Sequence, residues 1–514
     1  MPAIDRDRRR RSRRRPQHSQ SCGAQIRNFA AFFTREIGYY DLLSLDALDK
    51  IERHADWILD NIGILIQDDP VALRLFDQAG ARVDGDSVKF DPGLAKDLCA
   101  TAPSQYTMYA RNPQNNIEFG GNNLVLAPAY GSPFVTDMQQ GRRYGQLSDF
   151  ENFIKLTYQS PWLHHQSGTV CEPVDIPVNK RHLDMVYAHL KYSDKPFMGS
   201  VTAPERAADS IKMAEIVFGE EFMQDHLVIQ GNINVNSPLV YDGIMSSALR
   251  TYASANQGNV ISPFILAGAM SPVSMAALVA QAHAEALAGI ALTQLVRPGS
   301  PVVYGSFLTT MDLKTGAPTF GTPESSLATL AIAQLCRRMD LPFRCGGHLT
   351  ASKLADAQAM QESIETMQPA IMGGANFIFQ AAGWLEGGLT IGYEKFVMDL
   401  DRCGAVGRLV QGMRLDEEDF ASDAYLEAGP GSNFLGVSHT MRHFRNANFD
   451  APLADTNSFE QWSRDGSKDM LIRANERCRQ MLEDYQPPEL DPAIDHQLVK
   501  FIADRKSAVA DAWY

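Results

Sequence analysis

The loop Gly383-Trp384-Leu385-Glu386-Gly387-Gly388 offers an indole face and a carboxylate two residues apart, between glycines that let the backbone turn. That pair suits a methylated ammonium group, which has no N–H to donate and is held by cation–π contact and by an anion. Other residues able to do chemistry stand just after short apolar runs: Tyr130, Asn232, Asn234, Phe307 and His348. The long loop FLTTMDLKTGAPTFGTPESS adds Phe320 and Glu324, with Pro323 setting Glu324 at a helix start. The expected site has Glu386 and His348 in catalysis, with Trp384, Tyr130, Phe307, Asn232, Asn234 and Glu324 binding substrate. Zinc would need three or four ligands converging at about 2.0 to 2.3 Å, and neither Cys345 with His348 nor His164 with His165 has a spacing that supplies them; no metal is expected. A phosphate cradle at Gly346-Gly347 and Ser352 is the rival for anionic substrates. No G-x-S-x-G elbow supports a serine nucleophile. Each residue also has a plain structural reading: Trp384 as a plug, Glu386 as the partner of Lys395 or an arginine, the histidines as hydrogen-bonded core groups, and Cys171 and Cys345 as small buried hydrophobes.

Eight short apolar runs would position these residues: LVLAPAYGS (124–132), HHQSGTV (164–170), PFMGSV (196–201), LVIQGNINV (227–235), VISPFILAGAM (260–270), PVVYGSF (301–307), LPFRCGG (341–347) and FIFQAAGW (377–384). Amphipathic or Ala-rich helical stretches separate them at intervals of about 30 to 40 residues, the spacing of βα units with right-handed crossovers. Eight units predict an α/β fold, a (β/α)8 TIM-type barrel over 121–420. A doubly wound sheet is the rival, but no G-x-G-x-x-G follows an early strand. Residues 26–120 read as an N-terminal α+β cap, with one amphipathic helix over 42–67 and a hairpin around Asp84-Gly85, and 421–514 as a helical C-terminal extension.

Residues 1–25 read as a disordered Arg-rich tail. Residues 1–15 hold eight arginines against Asp5 and Asp7, so the remainder of this 514-residue chain of net charge −14 is strongly acidic. An acidic body repels phosphate backbones, so nucleic acid is excluded as its partner. Seven scattered cysteines indicate no disulfide framework, and a cytoplasmic setting is expected. The apolar stretch 273–296 carries Gln281, His283 and Glu285 and reads as a buried helix, so no membrane is expected. No export signal follows the arginines. The large helical surface suggests a homo-oligomer.

The segments SPVSMAALVAQAHAEALAGIALTQLVRPGSPVVYGS, TFGTPESSLATLAIAQLCRRMDLPFRCGGHLTASKLADAQAMQES, AAGWLEGGLTIGYEKFVMD and FLGVSHTMRHFR resemble the trimethylamine methyltransferase superfamily, and among its members those without pyrrolysine. The similarity runs from about residue 35 to the C-terminus and leaves the arginine tail outside. The resemblance implies a barrel that passes a methyl group from a methylated amine to the cobalt of a separate small corrinoid protein, in methylamine metabolism of the kind linked to methanogenesis. The corrinoid (cobalamin) would then come from the partner, with no cofactor bound tightly. Because this chain has standard residues throughout, the resemblance favours quaternary amines, glycine betaine first. A barrel lyase or aldolase and a non-catalytic betaine binder are the alternatives.

Overall fold

The computed structural model of the protein describes residues 30–513, so the tail assigned to 1–25 lies outside the described residues. The periodic run over 42–67 does not form one helix. Ser44 caps a helix over Leu45–Asn61, its hydroxyl accepting the Ala47 N–H, but Gly63 takes φ 85° and sends Ile64–Ile66 off as a strand against Ser87–Lys89. A Cβ on Gly63 would stand 2.6 Å from the Val88 carbonyl oxygen, so only glycine allows this approach. The strands Arg82–Asp84 and Ser87–Lys89 form the expected hairpin.

Seven of the eight apolar runs form strands of one curled sheet. Phe197–Met198, Ile229–Val235, Gly258–Ala267, Val302–Gly305, Phe343–Gly346 and Phe377–Phe379 lie side by side in parallel, and Phe377–Phe379 pairs with the earliest of the set, Asn123–Leu126. The run 164–170 makes no ladder. Its backbone still reaches both outer strands: His164 N donates to Leu126 O at 2.9 Å, Gln166 N to Pro196 O at 2.8 Å, and Ser167 O accepts from Met198 N at 2.9 Å.

Paired residues in a parallel ladder share a face. One face carries Asn232, Val260 and Val303, and likewise Arg344, Phe377 and Val125; its apolar members pack with Met198 and Phe379 inside the curl. The hairpin of Gln105–Met108 and Ile117–Gly120 fills the N-terminal end of the strands with Met108, Ile117 and Phe119. At the other end Gly258–Ala267 runs on and pairs with Phe307–Met311, which turns back through Pro318–Thr319. The predicted long loop is therefore a structured flap.

The apolar stretch is the helix Met275–Val296, long and apolar enough to cross a membrane by composition, yet 83% of its apolar window is buried within the fold. Its Glu285 carboxylate accepts the Leu239 N–H and the Gln281 amide, both at 2.9 Å. Beyond the helix Tyr393–Val410, the helices Met470–Glu483 and Pro492–Ser507 pack back on Tyr393–Val410 and Pro204–Phe218 respectively.

Candidate functional site

Phe307, Phe320 and Trp384 converge at the C-terminal end of the sheet. Phe307 begins the flap strand and Phe320 follows its return, while Trp384 begins a two-residue strand paired with Thr390–Gly392. Ring centroids lie 5.7 Å apart for Phe307 and Trp384 and 5.9 Å apart for the other two pairs, with Phe320 edge-on to Trp384. All three are buried. The Trp384 indole N–H has no hydrogen-bond partner. Gly388 must be glycine, since a Cβ there would meet the indole ring at 2.4 Å.

The expected carboxylate does not stand open beside these rings. Glu386 is gripped by Arg142, whose Nε and NH2 donate to its two oxygens at 2.7 and 3.2 Å, and by the Thr390 hydroxyl at 2.6 Å. Burial works to raise its pKa, but Arg142 and Thr390 outweigh it and hold the carboxyl below its ordinary value. Arg142 in turn stacks 3.5 Å over the Phe134 ring. A negative charge already neutralised by a guanidinium is a poor counter-ion for a substrate cation. Of the two structural partners expected for Glu386, it takes an arginine rather than Lys395.

His348 belongs to a buried network behind the Trp384 loop. Its Nδ1 is 2.7 Å from Ala381 O, its hydrogen-bond acceptor, and 3.8 Å from Asp399. Lys395 Nζ binds both Asp399 oxygens at 2.6 Å, and Asp399 accepts the Gly383 N–H at 2.9 Å. Burial, with Lys395 nearby, pushes His348 down to about 3, and burial pushes Asp399 up to about 6 against the pull of Lys395. A neutral, donating imidazole of this kind fixes the start of the loop; it is not poised as a general acid or base at neutral pH.

Asn232 and Asn234 share the inner face of Ile229–Val235. Ser262 Oγ donates to Asn232 Oδ1 at 3.0 Å, and Asn232 Nδ2 donates to Asn234 Oδ1 at 3.1 Å, which leaves Asn234 exposed at the rim. Tyr130 stacks on Phe379 at 6.1 Å and lies against Gly168; burial raises its pKa to about 12. Glu324 is exposed on the first turn of Pro323–Arg338 and does not join the cluster, because the helix starts with that side turned to solvent.

Arg344, unremarked in the sequence, lies inside the curl. Its guanidinium carbon stands 4.4 Å from the Phe379 ring centroid and 5.6 Å from that of Phe307. NH1 donates to Ser306 O at 3.2 Å and NH2 to Gln380 Oε1 at 3.3 Å, while Nε has no partner. Among the described residues no carboxylate pairs with it. Burial pushes its pKa down to about 10, so it stays charged at neutral pH. The signal was present as one cation within the apolar run LPFRCGG, at a position whose parity faces inward with Phe377. His165 Nε2 and both amide atoms of Gln230, on the same inner face, are also buried without partners.

Fold and site together define a parallel-sheet α/β protein whose strand ends carry a cluster of three buried rings, Phe307, Phe320 and Trp384. The chain belongs to the trimethylamine methyltransferase (MTTB) family, whose model matches residues 6–510, so the match begins inside the arginine-rich segment rather than after it. It is 39% identical to a glycine betaine methyltransferase of Desulfitobacterium hafniense (strain Y51) over 92% of this chain and 98% of that one. It is 29% identical to the trimethylamine methyltransferase of D. hafniense (strain DSM 10664 / DCB-2) over 85% of this chain and 88% of that one. With the proline betaine:corrinoid methyltransferase of Eubacterium limosum it shares 27% identity over 88% and 95%.

Proposed function

We propose that the protein transfers a methyl group from a quaternary amine to the cobalt of a small corrinoid protein, which carries the corrinoid itself. The observation that carries this reading is the meeting of Phe307, Phe320 and Trp384 at the strand ends, in a chain with this family membership. In an in-line displacement by reduced cobalt, the cobalt–carbon bond forms as the carbon–nitrogen bond breaks. The electron pair leaves on nitrogen as a neutral tertiary amine, and because the quaternary nitrogen is already cationic, no proton is needed. The protein's part is therefore alignment and exclusion of water. The three rings hold the methylated nitrogen by cation–π contact, each contributing more as water is removed. Arg142 and Glu386 brace the turn after Trp384, and the His348–Asp399–Lys395 network braces its start.

The curl is proposed to close as an eight-stranded barrel with 164–170 as the second stave, a reading supported by its backbone bonds to Leu126, Pro196 and Met198. A cytoplasmic setting is supported by six buried free thiols, Cys99, Cys171, Cys336, Cys345, Cys403 and Cys478.

The test mixes purified protein with reduced cobalamin or a corrinoid protein and follows loss of Co(I) absorbance. Glycine betaine, proline betaine, carnitine and choline form the quaternary panel. At least one should form methyl-Co(III) while trimethylamine does not; methylation by trimethylamine alone overturns the reading.

A further inference from the structure

Arg344 is a buried charge on the inner face that the aromatic corner does not explain. A guanidinium removed from water costs several kcal/mol unless an anion compensates it, and here it finds only two neutral acceptors, Ser306 O and Gln380 Oε1, at 3.2 and 3.3 Å. The polar atoms sharing this face, Gln230 and His165 Nε2, are likewise buried and unpartnered. Its surroundings are otherwise rings: Phe379, Phe307, and Tyr130 stacked on Phe379. Phe307 links two chemistries, with the guanidinium 5.6 Å from its centroid and Trp384 and Phe320 at 5.7 and 5.9 Å. A ligand spanning Phe307 thus meets an aromatic wall at one end and a fixed, uncompensated cation at the other.

We propose that Arg344 binds the carboxylate of a betaine substrate and is the residue by which this protein tells betaines from quaternary amines that carry positive charge alone. This rests on the quaternary-amine reading above. The planar guanidinium, with Nε free and NH2 only weakly engaged, suits two-point contact with a carboxylate. The same cation repels a substrate that carries positive charge alone, which gives the site a means of rejection as well as of capture.

The experiment compares glycine betaine with choline and tetramethylammonium as methyl donors to reduced cobalamin, in wild type, Arg344→Gln and Arg344→Lys. Wild type should prefer glycine betaine, and Arg344→Gln should cut the glycine betaine to choline ratio in kcat/KM by about 100-fold, with Arg344→Lys recovering part of it. Equal use of choline and glycine betaine by wild type, or a parallel loss of both in the Gln variant, overturns the proposal. Thermal melting checks folding, and the Gln variant should melt at or above wild type because an unpaired buried charge is gone. A second arm needs no methyl transfer: calorimetric binding of 3,3-dimethylbutyrate, which keeps the carboxylate and replaces the ammonium by a neutral tert-butyl group. Binding to wild type and loss in Arg344→Gln supports the carboxylate site even if every donor fails; equal binding to both, or none to wild type, overturns it.

Discussion

The strand ends and the segment 411–469 leave opposite needs unmet. Around Arg344 the environment is apolar and the unpartnered groups are polar: a guanidinium Nε, an indole N–H, an imidazole nitrogen and an amide. In 411–469 the environment is water and the unpartnered groups are apolar, with Met413 83%, Leu426 88% and Leu435 82% exposed, against 6% for Trp384 and 8% for Phe307. Charged groups in that segment pair at the surface, as Arg442 does with Glu418 and Asp423. Buried polar groups without partners carry a large desolvation penalty that a polar ligand can offset; exposed apolar groups cost little each and contribute little to the fold. The two regions should therefore respond to perturbation on different scales.

Acid separates them most strongly. Burial lowers the pKa of His164, His283 and His348 to about 3 and of His189 to about 4, all of them outside 411–469. The unfolded chain protonates these groups near 6.5 while the folded chain keeps them neutral, so stability is lost as pH falls from 6.5 toward 4. Asp399 opposes this: folded it holds its proton up to about 6, unfolded it loses it near 4, so it favours the fold at the acid end of that window. Burial drives His165 and His182 the same way, so the buried histidines outweigh Asp399 and stability should fall steeply as pH drops from 6.5 toward 4. Urea melts at pH 7, 6 and 5 measure this, and a flat profile contradicts the neutral buried histidines.

Trp384→Ala comes next. Removing the indole from Phe307 and Phe320 should cost about 3 to 5 kcal/mol in unfolding free energy and raise KM for quaternary amines, while Trp384→Phe should keep most of both. Denaturant melts and the Co(I) assay read the two effects; a full-length, normally active Trp384→Ala would break the contrast between the regions. Glu386→Gln should cost no more than about 1 kcal/mol, since its partner Arg142 is partly exposed and the pair is screened. A large, selective loss of substrate affinity in that variant would restore Glu386 as a direct cation contact. The smallest effect belongs to Leu426→Ser and Leu435→Ser, each expected within about 0.5 kcal/mol of wild type. A marked drop in melting temperature for either would show that 411–469 packs more tightly than its exposure indicates.

Much of this was legible before folding was considered. Periodicity placed the strands because parallel strands buried on both faces must be short apolar runs, and the Trp384 loop stood out because it sets an indole and a carboxylate two residues apart between glycines that let the backbone turn. The run 164–170 was read as a strand yet makes no ladder, since its residues bond outward singly through His164, Gln166 and Ser167. The helix over 42–67 was cut short by one glycine whose positive φ is a tertiary demand of Val88.

Charge pairing was the part the chain order could not settle. Glu386 and Arg142 are 244 positions apart, and only the return of the chain past Phe134 brings the guanidinium to the carboxylate. Family membership and the aromatic character of the site follow from residue type and spacing, which are local. Whether a charge is free or spoken for depends on neighbours far away in sequence, and so the tertiary structure alone decided that Glu386 is neutralised, His348 is held neutral, and Arg344 meets no carboxylate among the described residues.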